Sequence, residues 1–507
     1  MDLFNGFLVA LEPFNLFMVF AGTGIGIVFG ALPGLTSTMA VGLLIPITFG
    51  FSPATGLIFL AGSYCGSMYG GSISAILLNT PGTPASAATA LDGYPMALNG
   101  DGGKALATAT IASFIGGIIS AMCLILISPQ LAKIALLFGP AEYFAVACFG
   151  MTIISALSSR AILKGCIAGL LGLVIGTVGM DPMTGVPRFT FGYFEMLEGI
   201  SIIPALIGLF SASQVLMLLE ELKPGEKLNS MSTIKPGKIW LPFSEIKSLM
   251  GIMLRGSGIG TIIGIIPAAG GDIAAFLGYN EAQRFSKKRE MFGKGNVEGV
   301  AGPESANNGV TGGSLIPLLT LGVPGNSVTA IFLGGLLIQG LRPGPSLFTD
   351  QAATTYAFFA GMILANIAML VLGFIAARFF IRVLSVPTTI MIPLIFCLCV
   401  IGSYAIRNSM FDVGLMLLFG ALGYFLKKTG FSSAPVVLGM ILGPMAEGSY
   451  RRFLQATQGD IMPMFEKPIV LVLFAMCIIS VVSPFVARWY EERKKSHATQ
   501  SAAENNQ

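Results

Sequence analysis

GTGIGIVFGALP, residues 22–33, and GSGIGTIIGIIP, residues 256–267, are identical at six of twelve positions. Each sets glycines four residues apart: Gly22, Gly26 and Gly30 in the first, Gly256, Gly260 and Gly264 in the second. A proline follows three residues after the last glycine in both, at Pro33 and Pro267. Glycines at this spacing line one face of a helix as a flat ridge that another backbone can approach closely. A dinucleotide-binding turn is the other pattern rich in GxG. It needs a preceding strand, and the flanks here are uniformly apolar. A second pair of blocks follows in the same order. Gly70-Gly71-Ser72 matches Gly312-Gly313-Ser314, and Pro81-Gly82 matches Pro324-Gly325. Two blocks matched in order point to a duplicated unit.

The surroundings of these blocks set the solvent. Of 507 residues, 54% are hydrophobic and 11% charged. Soluble domains carry about a quarter charged residues, so this chain cannot cover a water-facing surface. The expected fold is an all-α polytopic membrane protein of roughly 10–14 membrane segments, some of them broken or re-entrant, built from two structural repeats. The divisions expected are a first transmembrane half over 14–220, a polar linker over 221–247, and a second half over 248–444 with a basic loop at 281–298. A last loop and span over 445–487 and a tail over 488–507 complete the chain. Residues Met1 to Pro13 hold Asp2 and Glu12 and no basic residue, unlike a secretory signal.

Charge orients the halves. Lys104 is the first Lys or Arg of the chain, whereas the second glycine stripe lies between basic stretches. The positive-inside rule makes 221–247, 281–298 and the C-terminal tail cytoplasmic. Residues Gly251–Asn280 then enter and return on one side, as a re-entrant hairpin, and the two halves have inverted topology. The net charge of +4 forms no basic, aromatic-interleaved surface for nucleic acid. The one histidine, His497, lies in the tail, which removes most histidine-based metal and acid–base chemistry. The seven cysteines lie in or beside apolar runs and read as small packing residues; Cys397-x-Cys399 is not zinc spacing.

The proline–glycine loops are the candidate site. Pro81-Gly82-Thr83-Pro84 and Val323-Pro324-Gly325-Asn326-Ser327 interrupt apolar spans. A break exposes half-helix N-termini, which attract anions, and frees carbonyls able to coordinate Na⁺. Paired breaks at matching places in two halves mark a transporter binding site. The substrate-binding candidates are Ser72, Asn79, Thr80, Gly82 and Thr83 from the first half, with Ser314, Gly325, Asn326 and Ser327 from the second. Thr36, Ser37 and Thr38 follow the first stripe and can join them. Ionisable residues at membrane depth are functional candidates. Asp272 and Glu304, with Asn307 and Asn308, are therefore candidates for an ion or substrate route. Asp92 and Asp101 read as loop residues, and Arg407 with Asp412 as a structural pair at a helix end. No metal centre is expected beyond transient Na⁺, and no Walker A motif for ATP is present.

ALPGLTSTMAVGLLIPITF from residue 31, YGGSISAILLNTPGTPASAATALDGYPMALNG from residue 69 and the run GIIPAAGGDIAAFLGYNEAQ through GPESANNGVTGGSLIPLLTLGVPGNSVTA from residue 264 carry a resemblance. The chain is similar to the large membrane subunit of the tripartite tricarboxylate transporters, the TctA type. That resemblance, covering roughly Val19 to Pro444, implies a small membrane subunit (TctB-type) and a periplasmic solute-binding protein (TctC-type) as partners. It further implies citrate or another di- or tricarboxylate as substrate, Na⁺ or H⁺ as coupling ion, no cofactor, no enzymatic activity, and a bacterial inner membrane. A stand-alone organic-anion carrier or channel is the alternative, and a membrane-embedded enzyme lacks a catalytic constellation.

Overall fold

The computed structural model of the chain describes residues 2–32, 34–157, 162–181, 183–221, 239–266, 270–376, 388–479 and 482. Pro33 and Pro267, most of the 221–247 linker, the end of the last span and the 488–507 tail lie outside the described residues. The helices α1 (Asp2–Ala10), α2 (Pro13–Ala31), α3 (Ser37–Leu44), α4 (Pro53–Leu78), α5 (Ser86–Leu98) and α6 (Gly102–Ala135) open the chain. Next come α7 (Pro140–Leu157) and α8 (Ile162–Gly176), then a short antiparallel hairpin of β1 (Gly179–Met180) and β2 (Pro187–Arg188). Helix α9 (Ile202–Leu206) runs through a π turn, Ile207–Ala212, into α10 (Ser213–Glu221). The second half comprises α11 (Phe243–Ile265), α12 (Gly270–Phe285), α13 (Glu298–Leu321), α14 (Ser327–Ile338), the single turn α15 (Ser346–Thr349) and α16 (Ala352–Ala376). Helices α17 (Thr388–Arg407), α18 (Met410–Lys428), α19 (Ser433–Ala456), α20 (Met462–Phe465) and α21 (Pro468–Ile479) complete it.

Among the described residues, six stretches are long and apolar enough to cross a membrane: Pro13–Ala31, Gly102–Ala135, Ile202–Glu220, Phe243–Ile265, Ala352–Ile375 and Met410–Lys428. The fold is the expected all-α polytopic one. It packs as two compact units, one of Met1–Leu137 with Ser201–Leu426 and one of Phe138–Ile200 with Lys427–Gln507. Both glycine stripes and both proline–glycine loops lie in the first.

The stripes pack as the spacing predicts. A Cβ on Gly22, Gly26 or Gly30 of α2 would strike the carbonyl oxygen of Phe59, Ser63 or Ser67 on α4. The fit is reciprocal: Gly62, Gly66 and Gly70 of α4 face the carbonyls of Val19, Thr23 and Ile27. In the second half Gly260 of α11 meets the Ala306 carbonyl of α13, and Gly313 of α13 meets that of Thr261. Helix pairs without side chains between them gain close van der Waals contact, the main attraction left when lipid is as apolar as leucine.

The repeat extends beyond the matched residues. Helix α3 follows the first stripe as α12 follows the second, and α5 follows the first loop as α14 follows the second. Their partners are exchanged between halves: α3 packs on α14, and α12 on α5. Likewise α4 packs on α16 and α13 on α6, while α6 packs on α11 and α16 on α2. Swapping the two halves maps this set of contacts onto itself.

Two expectations change in detail. The 251–280 stretch holds two helices, α11 ending at Ile265 and α12 beginning at Gly270, and α11 begins at Phe243. At 23 residues α11 is about 34 Å long, enough to cross the hydrocarbon core by itself. Residues 315–341 run from α13 into α14, and the GPESANNG stretch belongs to the first half of α13. Asp92 is no loop residue; it lies in α5, wholly buried. Arg407 and Asp412 do pair at a helix end, with Nε donating to Oδ2 at 2.8 Å.

In the smaller unit α19 packs on α7 and α8. The β-hairpin is pinned to α19 by ion pairs: Arg188 to Glu447 at 2.7 Å and Arg451 to Asp181 at 2.7 Å. Arg451 also reaches Glu447 at 2.7 Å, so two cations bind two carboxylates. The Met183 amide, and after it the Arg451 guanidinium, hold the Asp181 carboxyl well below the usual carboxylate range.

Candidate functional site

Both breaks have one local design. Helix α4 ends on Asn79 and α13 on Gly322, each in the left-handed region with φ of 53° and 74°. Glycine and asparagine tolerate that region best, which is why these residues end helices. The chain then turns through the proline–glycine pair and starts a new helix. In each loop the glycine rests on its own stripe: Gly82 faces the Gly30 carbonyl and Gly325 that of Gly264. Thr83 leans over Gly71, and Ser314 sits against Gly325.

Each loop also touches the opposite half. The Asn326 amide donates from Nδ2 to the Tyr64 hydroxyl at 2.8 Å, and Tyr64 in turn shares a 3.0 Å hydrogen bond with Ser314 Oγ. Asn326 caps α14 in a capping box with Thr329, which fixes its side chain. Next to the first loop, Ala85 lies against Gly271 at the start of α12, beside Asn307 and Met68. Asn307 donates to the Met68 carbonyl at 3.1 Å, and Ser37 Oγ approaches the Met68 sulfur at 3.5 Å. The starts of α3 and α12, equivalent in the repeat, therefore both reach Met68.

The predicted residues divide by environment. Asn79 is exposed, Thr80 half-buried, and Gly82 and Thr83 buried. Thr83 Oγ1 has no hydrogen-bond partner. Ser314, Gly325 and Asn326 are buried and Ser327 half-buried. Ser72 is occupied within α4, donating to the Tyr69 carbonyl at 2.7 Å. Thr36 caps α3 by accepting from the Met39 amide at 3.2 Å, and the neighbouring Thr38 is half-buried. Asp272 is exposed in the first turn of α12, apart from the buried groups. Glu304, Asn307 and Asn308 are wholly buried, and the side-chain oxygens of both asparagines lack partners.

Glu304 is held between halves. Thr89 of α5 donates to Oε1 at 2.5 Å and Ser113 of α6 to Oε2 at 2.9 Å. Asn308, one turn along α13, donates to Ser113 Oγ at 2.8 Å. Asp92 accepts from the Tyr279 hydroxyl at 2.9 Å and from the amides of Gly295 and Asn296 at 2.9 and 2.8 Å. Tyr64, Thr89, Ser113 and Asp92 were not among the predicted site residues. A lone hydroxyl in an apolar helix carries no spacing signal, and only the fold reveals its partner. No Lys or Arg occurs between residues 295 and 341 or before residue 104, so the polar side chains in and beside the two loops are amides and hydroxyls.

The chain matches the family model described as "Tripartite tricarboxylate transporter TctA family" over residues 16–438. It is similar to an uncharacterized 52.8 kDa protein of the TAR-I ttuC' 3' region of Agrobacterium vitis, 38% identical over 484 residues, covering 95% of this chain and 96% of that protein. It is also similar to an uncharacterized protein of the TAR-II ttuC' 3' region of the same organism, 36% identical over 223 residues, covering 44% of this chain and 92% of that protein. No solved structure matches the chain.

Proposed function

The chain belongs to the tripartite tricarboxylate transporter TctA family, and from that premise we propose that it is the large transmembrane subunit of a binding-protein-dependent secondary transporter importing citrate-like di- and tricarboxylates. The observation that carries this reading is the pair of equivalent helix breaks, each set against the opposite half of a duplicated membrane fold. The anion binds between the two proline–glycine loops. It is met by helix N-termini and by Asn79, Thr80, Thr83, Ser314, Asn326 and Ser327 rather than by a buried cation. A periplasmic binding protein delivers it, a small membrane subunit assists, and an ion gradient, Na⁺ or H⁺, drives uptake across the bacterial inner membrane. The halves are inverted, and the C-terminal tail is cytoplasmic. The loop-bearing helices move against a scaffold to expose the site alternately to each side.

The test is uptake of radiolabelled citrate and malate into vesicles holding the full chain with the proteins encoded beside it. Uptake that needs both an imposed ion gradient and the binding protein supports the reading. Uptake indifferent to the binding protein makes the chain a stand-alone carrier, and flux indifferent to any gradient makes it a channel. Asn79→Ala and Asn326→Ala are expected to weaken uptake while leaving the protein inserted in the membrane. Full transport by both variants removes the loops from the site.

A further inference from the structure

Resting on the carboxylate-uptake reading above, we propose that the coupling ion is a proton and that Glu304 is the group that carries it. Glu304 is 0% exposed in the second turn of α13, and no salt bridge to it is found among the described residues. A buried carboxylate without a cation costs several kcal/mol more than its neutral acid, so its charge must be met by something mobile. Its neighbours decide between a proton and a metal cation. Both oxygens are taken by hydroxyl donors, Thr89 and Ser113, and Ser113 is itself bound by the Asn308 amide. A proton neutralises the carboxyl by itself, and the Thr89 and Ser113 hydroxyls, which accept as well as donate, can satisfy the O–H it adds.

A second observation is independent of the first. Asn308 Oδ1 is buried, has no donor, and lies one turn from Glu304 on the same helix. Protonated Glu304 is the one group of that cluster that gains an O–H, and so can supply a donor there.

The repeat adds a third. The seam between α13 and α5 is equivalent to that between α4 and α14. The latter is bridged by neutral groups, Tyr64 and Asn326. The fold therefore closes this seam without a carboxyl, and a carboxyl at one copy alone serves something other than packing. None of the titratable and charged groups on the elements around Glu304 forms an ion pair with it among the described residues. Tyr69 of α4 bonds Thr110 of α6, and Asp92 of α5 bonds Tyr279 of α12. Lys104 of α6 pairs with Glu245 of α11 at 2.7 Å. In each cycle an O–H bond forms on Glu304 with a proton from external water and breaks on the inner side, returning the proton to water.

The experiment uses the full chain co-reconstituted with its neighbouring gene products and radiolabelled citrate. An inward step of one pH unit raises wild-type accumulation about tenfold if one proton is coupled. Glu304→Gln is expected to exchange citrate at equal pH but to lose the response to the step, and Glu304→Asp to recover it. A response intact in Glu304→Gln overturns the proposal. So does accumulation driven by an inward Na⁺ step at equal pH. Should Glu304→Gln fail to fold, Ser113→Ala removes one donor and leaves the carboxyl. The pH midpoint of driven uptake then moves, and a midpoint unchanged counts against Glu304. Absence of any citrate or malate exchange by the wild type sinks the uptake reading instead. In that event the infrared carboxylic-acid band of the purified protein decides: a band growing on acidification and missing from Glu304→Gln upholds the assignment, and no such band ends it.

Discussion

The carbonyl oxygen of Ala306 occupies the space that a Cβ at residue 260 would need. The obstacle is backbone on the partner helix, so it cannot turn aside as a flexible side chain would. Gly260→Val is expected to destabilise by at least the 1–3 kcal/mol or so typical of overpacking, read as an earlier unfolding transition of the detergent-solubilised protein. Gly258, two residues away in the same block but off the stripe, has nothing within 4 Å of its would-be Cβ. Gly258→Ala is expected to be neutral or stabilising by about 0.5–1 kcal/mol, since it removes only backbone freedom. Equal losses at both positions would refute the ridge. Tyr64→Phe keeps the ring but leaves the Asn326 amide without its acceptor, at an expected cost of about 1–3 kcal/mol. A melting curve superimposable on the wild type would show that the bond is not formed. The glycines were legible in sequence because they recur at a helical spacing. Tyr64, Thr89 and Ser113 were not, because each is a single polar group whose partner lies 250, 215 or 191 residues away.

Elements were readable where hydropathy was high and misread where small residues replaced large ones. Helix α13 carries Pro303 and Pro317 and many glycines, so its first half resembles a loop in sequence. It is held as a helix by close packing on α11 and α6 rather than by propensity. The basic flanks of residues 251–280 pointed to a hairpin, but the helical length of its arms was not legible. The β-hairpin before α9 gives a pH prediction. The Met183 amide and Arg451 lower the Asp181 carboxyl in the folded protein, so the contribution of this contact is complete above the unfolded value of about 3.9. It declines as pH falls below that value toward the lower folded one. Hydrogen exchange of residues 179–188, expressed relative to the intrinsic amide rate at each pH, is therefore expected to be unchanged between neutral pH and about pH 5 and to rise below about pH 4. Asp181→Asn should abolish the pH dependence. A rise already present near pH 6 would assign the hairpin's hold to another group.

At the scale of the molecule the duplication was visible and the exchange of partners was not. Two matched blocks reveal that a unit is repeated, while which copy each helix packs against depends on contacts that no spacing encodes. Orientation is testable by labelling. Single cysteines at Glu12 and Pro242, the exposed positions leading into α2 and α11, are expected to react with an impermeant thiol reagent from opposite sides of the membrane. Labelling of both from one side would make the repeat parallel rather than inverted.

The exchange of α5 and α14 bears on how the protein is made. When the ribosome has finished the first half, Tyr64 and α3 already stand in the bilayer. Ser314, Asn326 and α14, which they require, are still more than ninety residues from being synthesised. The half-made protein is expected to hold these polar groups without their partners. Completion of the second half is thus the event that closes the first.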